Sequence, residues 1–451
     1  MPARIPLSLR GQTTITTTAK LLSKVGKTAF ASRSLVTASS SKSFDVVVAG
    51  GGAMGSSVAF HLLKADPTLK VCVVEKDPTY KIASSPLSVG SIRQQFSISE
   101  NTRMSMMTAK FLKESQHEFD PDVAEPIHFE EGGYLVLGTE KSRTALQANH
   151  IIQRQQNAKV KMLPTDEMRQ KFPWLNTRGL AVGSWGYENE GWFDPYSMMM
   201  WFKKHAIALG ALYMQGTVST ISRGGEGNKI SSVRVDSTEP TTSTTSSSSS
   251  SGSSGSSSSS TVIGAGALVN TGGCWAAQIA EMAGIPGVPI VPRLRRVFVF
   301  HCPEAEVSQG EGVPMVFDPS GLWFRREGAP EAVAEELEGG GVNDTAFFEE
   351  HMWEPLANRV PAFENLRQVG GWHGFYDFNK FDENAIIGEY QEGSRLYFAA
   401  GFSGHGIQHC PPVGRAISEL ILDGRYSTVD LSSFGYNRVL QNVPFTEAVC
   451  Y

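Results

Sequence analysis

The sequence predicts an α/β protein built on a doubly wound, Rossmann-like sheet, and three observations support this fold class. A strand, a glycine-rich turn and a helix follow one another in FDVVVAGGGAMGSSVAFHLLK, residues 44–64. A second apolar strand, KVCVVE, follows and ends in an acid. Towards the other end, LYFAAGFSGHGIQHCPPVGRAISELILDG, residues 396–424, again reads strand, glycine-rich loop and helix. Strands that alternate with helices in this way favour a parallel sheet.

The first glycine loop predicts a dinucleotide site. Gly50, Gly52 and Gly55 match G-x-G-x-x-G directly after the first strand. In this motif the first glycine permits the tight turn, the second lets a pyrophosphate approach the backbone, and the third lets the helix pack on the strand. The helix N-terminus offers N–H donors and a favourable dipole to the phosphates. Glu75 ends the second strand, where an acid accepts hydrogen bonds from ribose hydroxyls. These positions do not separate NAD from FAD.

The region between the two glycine loops predicts alternating strands and helices. GGYLVLG indicates a strand, TDEMRQKFPWL a helix from Thr165 that ends before Pro173, and YSMMMWFKKHAIALG another helix. KISSVRVDS and TVIGAGALVN indicate two neighbouring strands. The Ser-rich residues 237–260 are therefore expected to form a flexible insertion in the loop between them. The acidic, glycine-rich residues 327–344 are expected to be a second insertion.

Composition limits the class of protein. With 451 residues, 41% hydrophobic and 19% charged, the chain has an ordinary globular composition and the length of two or more domains. Its net charge of −5 argues against a nucleic-acid binder. Five scattered cysteines without a CxxC pair favour a reducing compartment over a disulfide scaffold. The sequence has no apolar run of about 18 residues, so no membrane-spanning helix is predicted.

The first 43 residues differ in charge from the rest of the chain. Residues 1–43 carry seven basic side chains and no acidic one, and they are rich in Ser and Thr. This composition is typical of a disordered organelle transit peptide, and the segment lacks the apolar core of a secretory signal. A mitochondrial address, in the matrix or on the matrix face of the inner membrane, is the first expectation and a plastid the second. A basic tail without a targeting role is the alternative.

Two further stretches favour FAD over NAD, because the isoalloxazine ring of FAD usually needs polypeptide from a distant part of the chain. ASSPLSVGSIRQQF, shortly after Glu75, offers Ser hydroxyls, a glycine and the fixed cation of Arg93. GFSGHGIQ, residues 401–408, leads into a helix that is expected to start near Pro411 or Pro412. A helix N-terminus directed at the flavin would stabilise the negative charge of the reduced ring.

Together these motifs resemble the D-amino-acid oxidase and sarcosine oxidase superfamily of FAD-dependent amine oxidoreductases. The strings that carry the resemblance are VVVAGGGAMGSSVAFHL, VVEKD, ASSPLSVGSIRQQF, GGYLVLG, GWFDPY, VNTGGCWA, GWHGFYDFNKFDENAIIG and FAAGFSGHGIQ. They cover about residues 44–425. The resemblance implies a doubly wound FAD-binding domain interrupted by an α+β substrate domain with an antiparallel sheet. The expected bounds are 44–125, 196–288 and 378–432 for the FAD-binding domain, 126–195 and 289–377 for the substrate domain, and 433–451 for a C-terminal tail.

The resemblance also implies which residues hold FAD. Gly50, Gly52, Gly55 and Glu75 would bind the ADP half. The adenine is assigned to the backbone of Val218, and the pyrophosphate wall to Thr271 and Gly272. The residues along the ribitol and the flavin are Ser84, Ser85, Arg93, Gly401, Ser403, Gly404, His405, Gly406 and Ile407.

Two departures from the family pattern bear on the chemistry. Members that attach the flavin covalently use a Cys or a His, but the corresponding segments read HGFYDFNKFDE and ASSPLS, so non-covalent FAD is expected. Members that bind an N-methyl amino acid have a Lys where this chain has Gln408, a candidate substrate contact. Arg325 or Arg326 in GLWFRRE is a second candidate, since arginine binds carboxylates bidentately. A solvated strand end is the competing interpretation of that pair.

The candidate catalytic residues are weighed against structural roles. His373, beside GFY, has the chemistry of a base, although a structural histidine explains the position more simply. Arg93 and Arg325 are the other candidates. HGIQHC, residues 405–410, has the spacing of metal ligands, but the stretch is already assigned to the flavin loop, so no metal site is expected.

The sequence therefore predicts a mitochondrial FAD-dependent oxidoreductase that oxidises a C–N bond of a small amine or amino acid by hydride transfer to flavin N5. The resemblance implies a competing role as an FAD-containing assembly factor for respiratory complex I with little or no turnover, and Gln408 mildly favours that role. Its partners would be complex I assembly intermediates, with peripheral contact to the inner membrane. An NAD dehydrogenase is disfavoured by the returning flavin loop.

Overall fold

The computed structural model describes most of the chain, and residues 331–336 are described by their backbone alone. Residues 1–41 of the predicted transit peptide and most of the Ser-rich insertion lie outside the described residues, whereas Ser43, the last residue of the predicted peptide, begins a strand. The described residues are 42–115, 122–225, 228–237, 259–302, 313–327, 331–336 and 345–448.

Strands and helices alternate along these residues. The strands are β1 (Ser43–Ala49), β2 (Val71–Glu75), β3 (Ser91–Ile92), β4 (Phe129–Glu130), β5 (Tyr134–Gly138), β6 (Val160–Pro164), β7 (Val182–Gly186), β8 (Gly191–Phe193), β9 (Leu212–Gln215), β10 (Thr217–Gly224), β11 (Lys229–Asp236), β12 (Ser260–Asn270), β13 (Ile290–His301), β14 (Met315–Phe317), β15 (Trp323–Arg326), β16 (Glu331–Glu336), β17 (Arg367–Asn379), β18 (Ile386–Glu389) and β19 (Leu396–Ala400). The α-helices are α1 (Ala53–Ala65), α2 (Ser84–Leu87), α3 (Ser99–Glu114), α4 (Glu140–Gln155), α5 (Thr165–Lys171), α6 (Pro195–Ala208), α7 (Ala276–Met282), α8 (Thr345–Phe347), α9 (Trp353–Arg359), α10 (Gly406–Asp423) and α11 (Asn437–Leu440). A π-helical turn lies at Phe348–Met352, and 3₁₀ turns lie at Gly273–Trp275, Pro361–Asn365 and Ser432–Phe434.

A mainly parallel sheet forms the base of the cofactor site. β1 pairs in parallel with β2 on one side and with β12 on the other. β9 and β19 extend the parallel part through β2 and β12. Consecutive residues of β1 point to opposite faces: Val46 and Val48 join one core cluster, and Val47 and Ala49 join another. An apolar strand buried on both faces is typical of a parallel sheet with covered faces. The predicted doubly wound sheet is therefore confirmed.

Helices from distant parts of the chain cover one face of this sheet. α1 packs against both α6 and α10 there, and the buried side chains of the three helices share a core cluster with β1. α6 starts where the sequence predicts, because Asp194 accepts a hydrogen bond from the Tyr196 N–H (3.0 Å) and Pro195 occupies the first turn. α7 packs on the other face.

The strands on either side of the Ser-rich insertion are neighbours, as the sequence predicts. β11 and β12 pair antiparallel, from Ser232 opposite Gly264 to Asp236 opposite Ser260. β10 pairs antiparallel with β11 and completes this edge of the sheet.

A second sheet stands over the cofactor side of the first. Its strand order in the described residues is β17-β13-β16-β15-β14-β5-β7-β6, and its pairs are antiparallel except for β14 with β5. β5 again alternates: Leu135 and Leu137 pack in one cluster, Tyr134 and Val136 in the other. A small sheet of β3, β8 and β4 lies beside it. This arrangement confirms the predicted substrate domain with an antiparallel sheet, whereas its exact residue bounds stay a prediction.

Two expectations about individual elements are wrong. Residues 331–336 of the expected second insertion form β16, which pairs with both β13 and β15. α10 begins at Gly406 and not near the prolines, so Pro411 and Pro412 lie inside the helix. Proline inside a helix loses a backbone hydrogen bond, but here both rings are buried and their packing offsets that loss.

In the part of the chain that the structure describes, none of the helices combines the length and the apolar character needed to cross a membrane.

Candidate functional site

The glycine loop between β1 and α1 has the geometry that close cofactor approach requires. Gly50 has φ +108°, a region that disfavours any residue with a side chain. A Cβ at Gly55 would lie 1.9 Å from the Gly50 carbonyl oxygen, and a Cβ at Gly50 would lie 2.4 Å from the Thr271 carbonyl oxygen. Thr271 Oγ1 donates to the Gly50 carbonyl at 2.8 Å and fixes the turn. Only glycine therefore fits at these two positions.

Glu75 is held beneath this loop. Its Oε2 accepts the Gly51 N–H at 2.7 Å, and its Oε1 accepts the Asp77 N–H at 2.8 Å. The side chain lines the cavity in front of the loop. The carboxylate is thus fixed at the cavity, and its contact with ribose hydroxyls stays a prediction.

The two serines of α2 connect the glycine loop to the second sheet. Ser85 Oγ accepts the Ala53 N–H, in the first turn of α1, at 3.1 Å. Ser84 Oγ donates to the carbonyl of Phe375 on β17 at 2.5 Å. Both serines line the cavity, so α2 forms a wall between the two sheets.

The loop between β19 and α10 forms the opposite wall. Gly401, Ser403 and Gly404 have φ values of +80°, +49° and +96°, so the loop turns sharply before α10 begins. Residues 403–408 line the cavity, whereas Gly401 does not. The first turn of α10 thus points its N–H groups into the space where the sequence places the flavin.

Asp377, which sequence reasoning missed, holds this loop. Its Oδ2 accepts the N–H groups of Gly401 (2.6 Å) and Phe402 (3.2 Å), and its carbonyl accepts the Ser403 N–H (2.9 Å). Burial raises the pKa of Asp377 to about 6, although these N–H donors oppose the rise. Its position in FYDFN, where an acid stands in an otherwise apolar strand end, is the signal that could have identified it.

Arg93 is a buried cation in the wall of the cavity. It is 5% exposed, and its Nη2 donates to His405 Nε2 at 3.0 Å. Burial and the Arg93 charge hold the pKa of His405 well below its usual range, so the imidazole is neutral and accepts this bond. Gln408 Oε1 accepts the Arg93 backbone N–H at 3.0 Å. Arg93 Nε is buried and has no hydrogen-bond partner among the described residues.

Glu190 lies behind Arg93 and was also missed. It is 1% exposed and accepts hydrogen bonds from the Gln94 N–H (2.7 Å) and Gln95 Nε2 (2.8 Å). Burial raises the pKa of Glu190 to about 7, although these hydrogen bonds and Arg93 oppose the rise. A Cβ at Gly186 would lie 1.9 Å from Glu190 Oε2, so β7 leaves room for this carboxylate only because it has a glycine there.

Two candidate catalytic residues lie off the cavity wall. Arg325 is buried and not at a solvated strand end: it pairs with Glu327, and its Nη2 donates to the Val89 carbonyl at 3.1 Å. Burial lowers the pKa of Arg325, and Glu327 opposes the change. Neither Arg325 nor His373 is among the residues that line the cavity, whereas Arg93 and Gln408 are.

One continuous cavity of about 1060 Å³ joins these walls. This exceeds the usual size of a site for a drug-sized ligand and suits a dinucleotide. The side chains of β13, β14, β15 and β17 close its far end with a largely aromatic surface that includes Phe317, Trp323 and Trp372. The predicted cofactor residues that line it are Gly50, Gly52, Glu75, Ser84, Ser85, Arg93, Val218, Thr271, Gly272, Ser403, Gly404, His405, Gly406 and Ile407.

The residues present therefore fit FAD. The glycine turn leaves space that any Cβ would fill, and α1 and α10 both begin at the cavity. The described residues contain no group of three or more His, Cys, Asp and Glu side chains that is placed to hold a metal ion.

A doubly wound sheet with a glycine turn, an acid-ended second strand and a returning helix N-terminus defines the class of dinucleotide-binding flavoproteins. The family model described as FAD dependent oxidoreductase matches residues 45–420, so the chain belongs to this family and binds FAD. This finding confirms the resemblance to the D-amino-acid oxidase superfamily.

Similar proteins and solved structures support membership of this family. The chain is 39% identical over 434 residues to FAD-dependent oxidoreductase domain-containing protein 1 of Xenopus laevis, covering 89% of this chain and 84% of that protein. It is 22% identical over 432 residues to the protein named dimethylglycine dehydrogenase, mitochondrial, of Mus musculus, covering 90% of this chain and 45% of that protein. Among solved structures, L-proline dehydrogenase from P. horikoshii has the same fold, with a TM-score of 0.72 and 24% identity over 90% of this chain and all of that chain (100%).

Proposed function

We propose that this flavoprotein oxidises a C–N bond of a small amine or amino acid that carries a carboxylate, in mitochondria, with FAD held non-covalently. The observation that carries the proposal is the Arg93 guanidinium, a buried cation with an unused Nε donor in the cavity wall. Phe317 from the second sheet lies against it, with the guanidinium carbon 5.5 Å from the ring centroid. A cation in a water-poor aromatic environment binds a carboxylate strongly.

In this proposal the residues of the chain bind and orient the substrate. Arg93 is held from behind by His405 and Gln408, so its guanidinium is already placed before substrate enters. His405 is neutral and occupied by Arg93, so it does not serve as the base. Burial raises the pKa of Tyr134 to about 12, so its hydroxyl stays protonated and available as a donor. Arg325 does not contact the substrate in this proposal. It supports the cavity wall through its hydrogen bond to the Val89 carbonyl.

FAD, when bound, would supply the oxidising chemistry by accepting a hydride at N5 from the carbon next to the substrate nitrogen. The aromatic side chains that line the far end of the cavity would limit the access of water to that carbon.

The experiment that tests this function is an anaerobic absorption spectrum of the purified protein before and after addition of N-methyl and D-amino acids. We expect one of these compounds to bleach the flavin. The matching amine without a carboxylate is the control, and it should bleach the flavin far more slowly. A flavin that no member of the panel bleaches would count against the proposal.

A mitochondrial location is supported by sequence and by one relative. Residues 1–43 are basic, Ser-rich and free of acids, and the dimethylglycine dehydrogenase noted above is named as mitochondrial. A fusion of these residues to a fluorescent protein should enter mitochondria. The same fusion with its Arg and Lys residues changed to Gln should not.

The contact between Gln408 and the Arg93 backbone favours a second candidate function, that of an FAD-containing assembly factor for respiratory complex I with little turnover. Gln408 is 4% exposed and its Oε1 holds the Arg93 backbone. The position at which the resemblance implies a Lys in members that bind an N-methyl amino acid is therefore used here to support the wall.

A variant that keeps FAD but blocks the far end of the cavity separates the two functions. Val89 lines the cavity beside Trp372, and Val89→Trp would fill this space. If the variant retains FAD, loses substrate-dependent bleaching and still restores complex I in cells that lack the protein, the assembly role does not need turnover. If the variant loses substrate-dependent bleaching and also fails to restore complex I, the result would favour the enzymatic function.

A further inference from the structure

The segment after α11 returns to the start of α3 and places a buried carboxylate there. Glu447 is 7% exposed. Its Oε2 accepts the N–H groups of Ser97 (2.6 Å) and Ile98 (3.2 Å) and also the Ser97 hydroxyl. Its Oε1 accepts Asn101 Nδ2 at 2.6 Å. The Ala448 N–H donates to Ser97 Oγ at 2.7 Å and closes the contact.

This carboxylate lies at the N-terminus of α3 and accepts the N–H of its N-cap residue. The N-cap residue of α3 is Ile98, whose side chain cannot accept a hydrogen bond. The first N–H groups of a helix need acceptors, and a negative charge at this end is favourable to the helix dipole. Glu447 therefore fixes both the start of α3 and the residues just before it. Arg93, which lines the cavity, lies on the same segment four residues before Ser97.

The same segment is anchored on its other side by a buried ion pair. Arg438 Nε and Nη2 donate to the two oxygens of Asp382 at 2.7 and 3.0 Å. Asp382 Oδ2 also accepts the Phe445 N–H at 3.0 Å. Asn384 Nδ2 donates to the Phe445 carbonyl at 2.5 Å, and Asn384 Oδ1 accepts Asn101 Nδ2 at 3.0 Å.

The hydrogen bonds continue from this ion pair to the flavin loop. Asn379 is fully buried, and its Nδ2 donates to Asp382 Oδ1 at 3.0 Å. Its backbone N–H donates to Ser403 Oγ at 3.0 Å. Ser403 lines the cavity opposite the glycine loop. One polar network thus joins Glu447 to Ser97, four residues after Arg93, and to the flavin loop.

We infer that Glu447 is a positioning residue for the FAD site, which fixes the Arg93 wall relative to the flavin loop. It does not line the cavity, so it acts through Ser97, Asn101 and the start of α3. Glu447 and Arg438 lie outside residues 45–420, the part of the chain that the family model matches. The inference depends on FAD binding and not on the identity of the substrate.

The test is the dissociation constant of FAD, measured by titration of the FAD-free full-length chain and followed by quenching of flavin fluorescence. Glu447→Gln keeps the shape of the side chain but removes the charge and places an amide against N–H donors. We expect the FAD dissociation constant to rise about tenfold, because hydrogen bonds to a charged group are lost. Glu447→Asp, which restores the charge, should recover part of the affinity.

Two controls separate positioning from general stability. Val429 is buried in the core beneath α10, and Val429→Ala should lower the melting temperature without changing the FAD dissociation constant. Glu392 is exposed, so Glu392→Gln should leave both the melting temperature and the FAD dissociation constant unchanged. An unchanged FAD dissociation constant in Glu447→Gln, with equal falls in the melting temperatures of the apo and FAD-bound forms, would overturn the inference.

A milder variant keeps the inference testable if Glu447→Gln does not fold. Ser97→Ala removes the hydroxyl that contacts both Glu447 and Ala448 but leaves the backbone bonds in place. We expect a rise of about threefold in the FAD dissociation constant, because the two hydrogen bonds of the hydroxyl are lost while the backbone N–H groups of Ser97 and Ile98 still hold the carboxylate. No change in that constant would again overturn the inference.

Discussion

Gly50 combines a left-handed backbone with a close approach in the nucleotide turn. Its φ of +108° and the Thr271 carbonyl oxygen, 2.4 Å from any added Cβ, both exclude a side chain. We therefore predict that Gly50→Ala lowers the free energy of unfolding by about 2 to 4 kcal/mol, from strain and overpacking together. Visible flavin absorbance of the purified variant should be lost, because the turn can no longer admit the pyrophosphate.

Gly284 offers the matched control, since its φ is +75° but an added Cβ would meet nothing within 4 Å. Gly284→Ala should show the backbone strain alone, about 1 kcal/mol, and keep its flavin. If both variants lose flavin equally, then strain and not the close approach at Gly50 determines cofactor binding.

Glu190 makes the stability depend on pH in a defined direction. The folded protein keeps the Glu190 proton up to a pKa of about 7, against a usual value of 4.5, because burial penalises the charge. Unfolding therefore releases a proton over this range, and the free energy of unfolding falls as pH rises from about 4.5 to about 7. The fall is of the order of 3 kcal/mol for a shift of this size. Glu190→Gln should remove it in urea unfolding measured at several pH values.

The wild-type minus variant difference isolates this group. Asp377 also titrates in the folded protein, with a pKa of about 6, but it is present in both proteins and cancels. A Glu190→Gln protein with the same pH slope as wild type would show that the slope comes from elsewhere.

At this scale, the sequence predicts residues whose role follows from local geometry. The glycine turn and Glu75 are read from spacing, because the constraint is set within one strand–turn–helix unit. The roles of Glu190 and Asp377 cannot be predicted from spacing in the sequence. Glu190 acts where the residues before β8 meet the Arg93 segment, and Asp377 acts where β17 meets the flavin loop. Arg325 shows the same limit, since sequence alone leaves open whether it is a substrate anchor or a buried ion pair.

Between elements, the crossing of α1 and α10 sets the distance between the two cofactor-binding loops. A Cβ at Gly414 of α10 would lie 2.2 Å from Ser57 Oγ of α1, and Ser57 Oγ donates to the Cys410 carbonyl at 2.7 Å. Gly414→Ala should separate the helices and lower the free energy of unfolding by about 1 to 3 kcal/mol, despite the better helix propensity of Ala. Affinity for FAD should fall with it, as measured by fluorescence titration.

The double variant Ser57→Gly with Gly414→Ala is the control for this contact. It removes the clashing hydroxymethyl group, so the two changes should be less harmful together than their sum. Strict additivity would mean that the helices do not meet through this pair of residues.

Some helices and strands can be predicted from the sequence pattern, and others cannot. β5, α5, α6, β11 and β12 follow from apolar periodicity, caps and turn residues. β16 does not, because an acidic, glycine-rich sequence becomes a strand only through its two neighbours β13 and β15. α10 likewise starts five residues before the first of its two prolines because tertiary packing outweighs their local cost.

For the whole molecule, the cavity is shared by parts of the chain that are far apart in sequence. β1 and α1 supply the phosphate end, α2 and the Arg93 segment one wall, and α10 the other. The sequence predicts this assembly through the order of its motifs, but the network from Glu447 to Ser403 depends on side chains brought together only by the fold. Ligand binding to such a site should stabilise the molecule as one unit, by about 2.7 kcal/mol when free FAD is at one hundred times its dissociation constant.

Whether FAD is attached covalently depends on the side chains of the whole cavity. None of the described residues that line the cavity is a cysteine, and His405 is engaged by Arg93 through Nε2. We therefore expect FAD to be non-covalent, so precipitation with acid should leave the flavin in the supernatant and a colourless pellet. His351 is the other histidine in the lining, and it provides the alternative to be excluded. A pellet that stays fluorescent in wild type but not in His351→Gln would place a covalent bond there and contradict the prediction. A wild-type pellet without fluorescence, together with return of colour when FAD is added to the refolded chain, would show that the polar contacts of the two walls are enough to hold the cofactor.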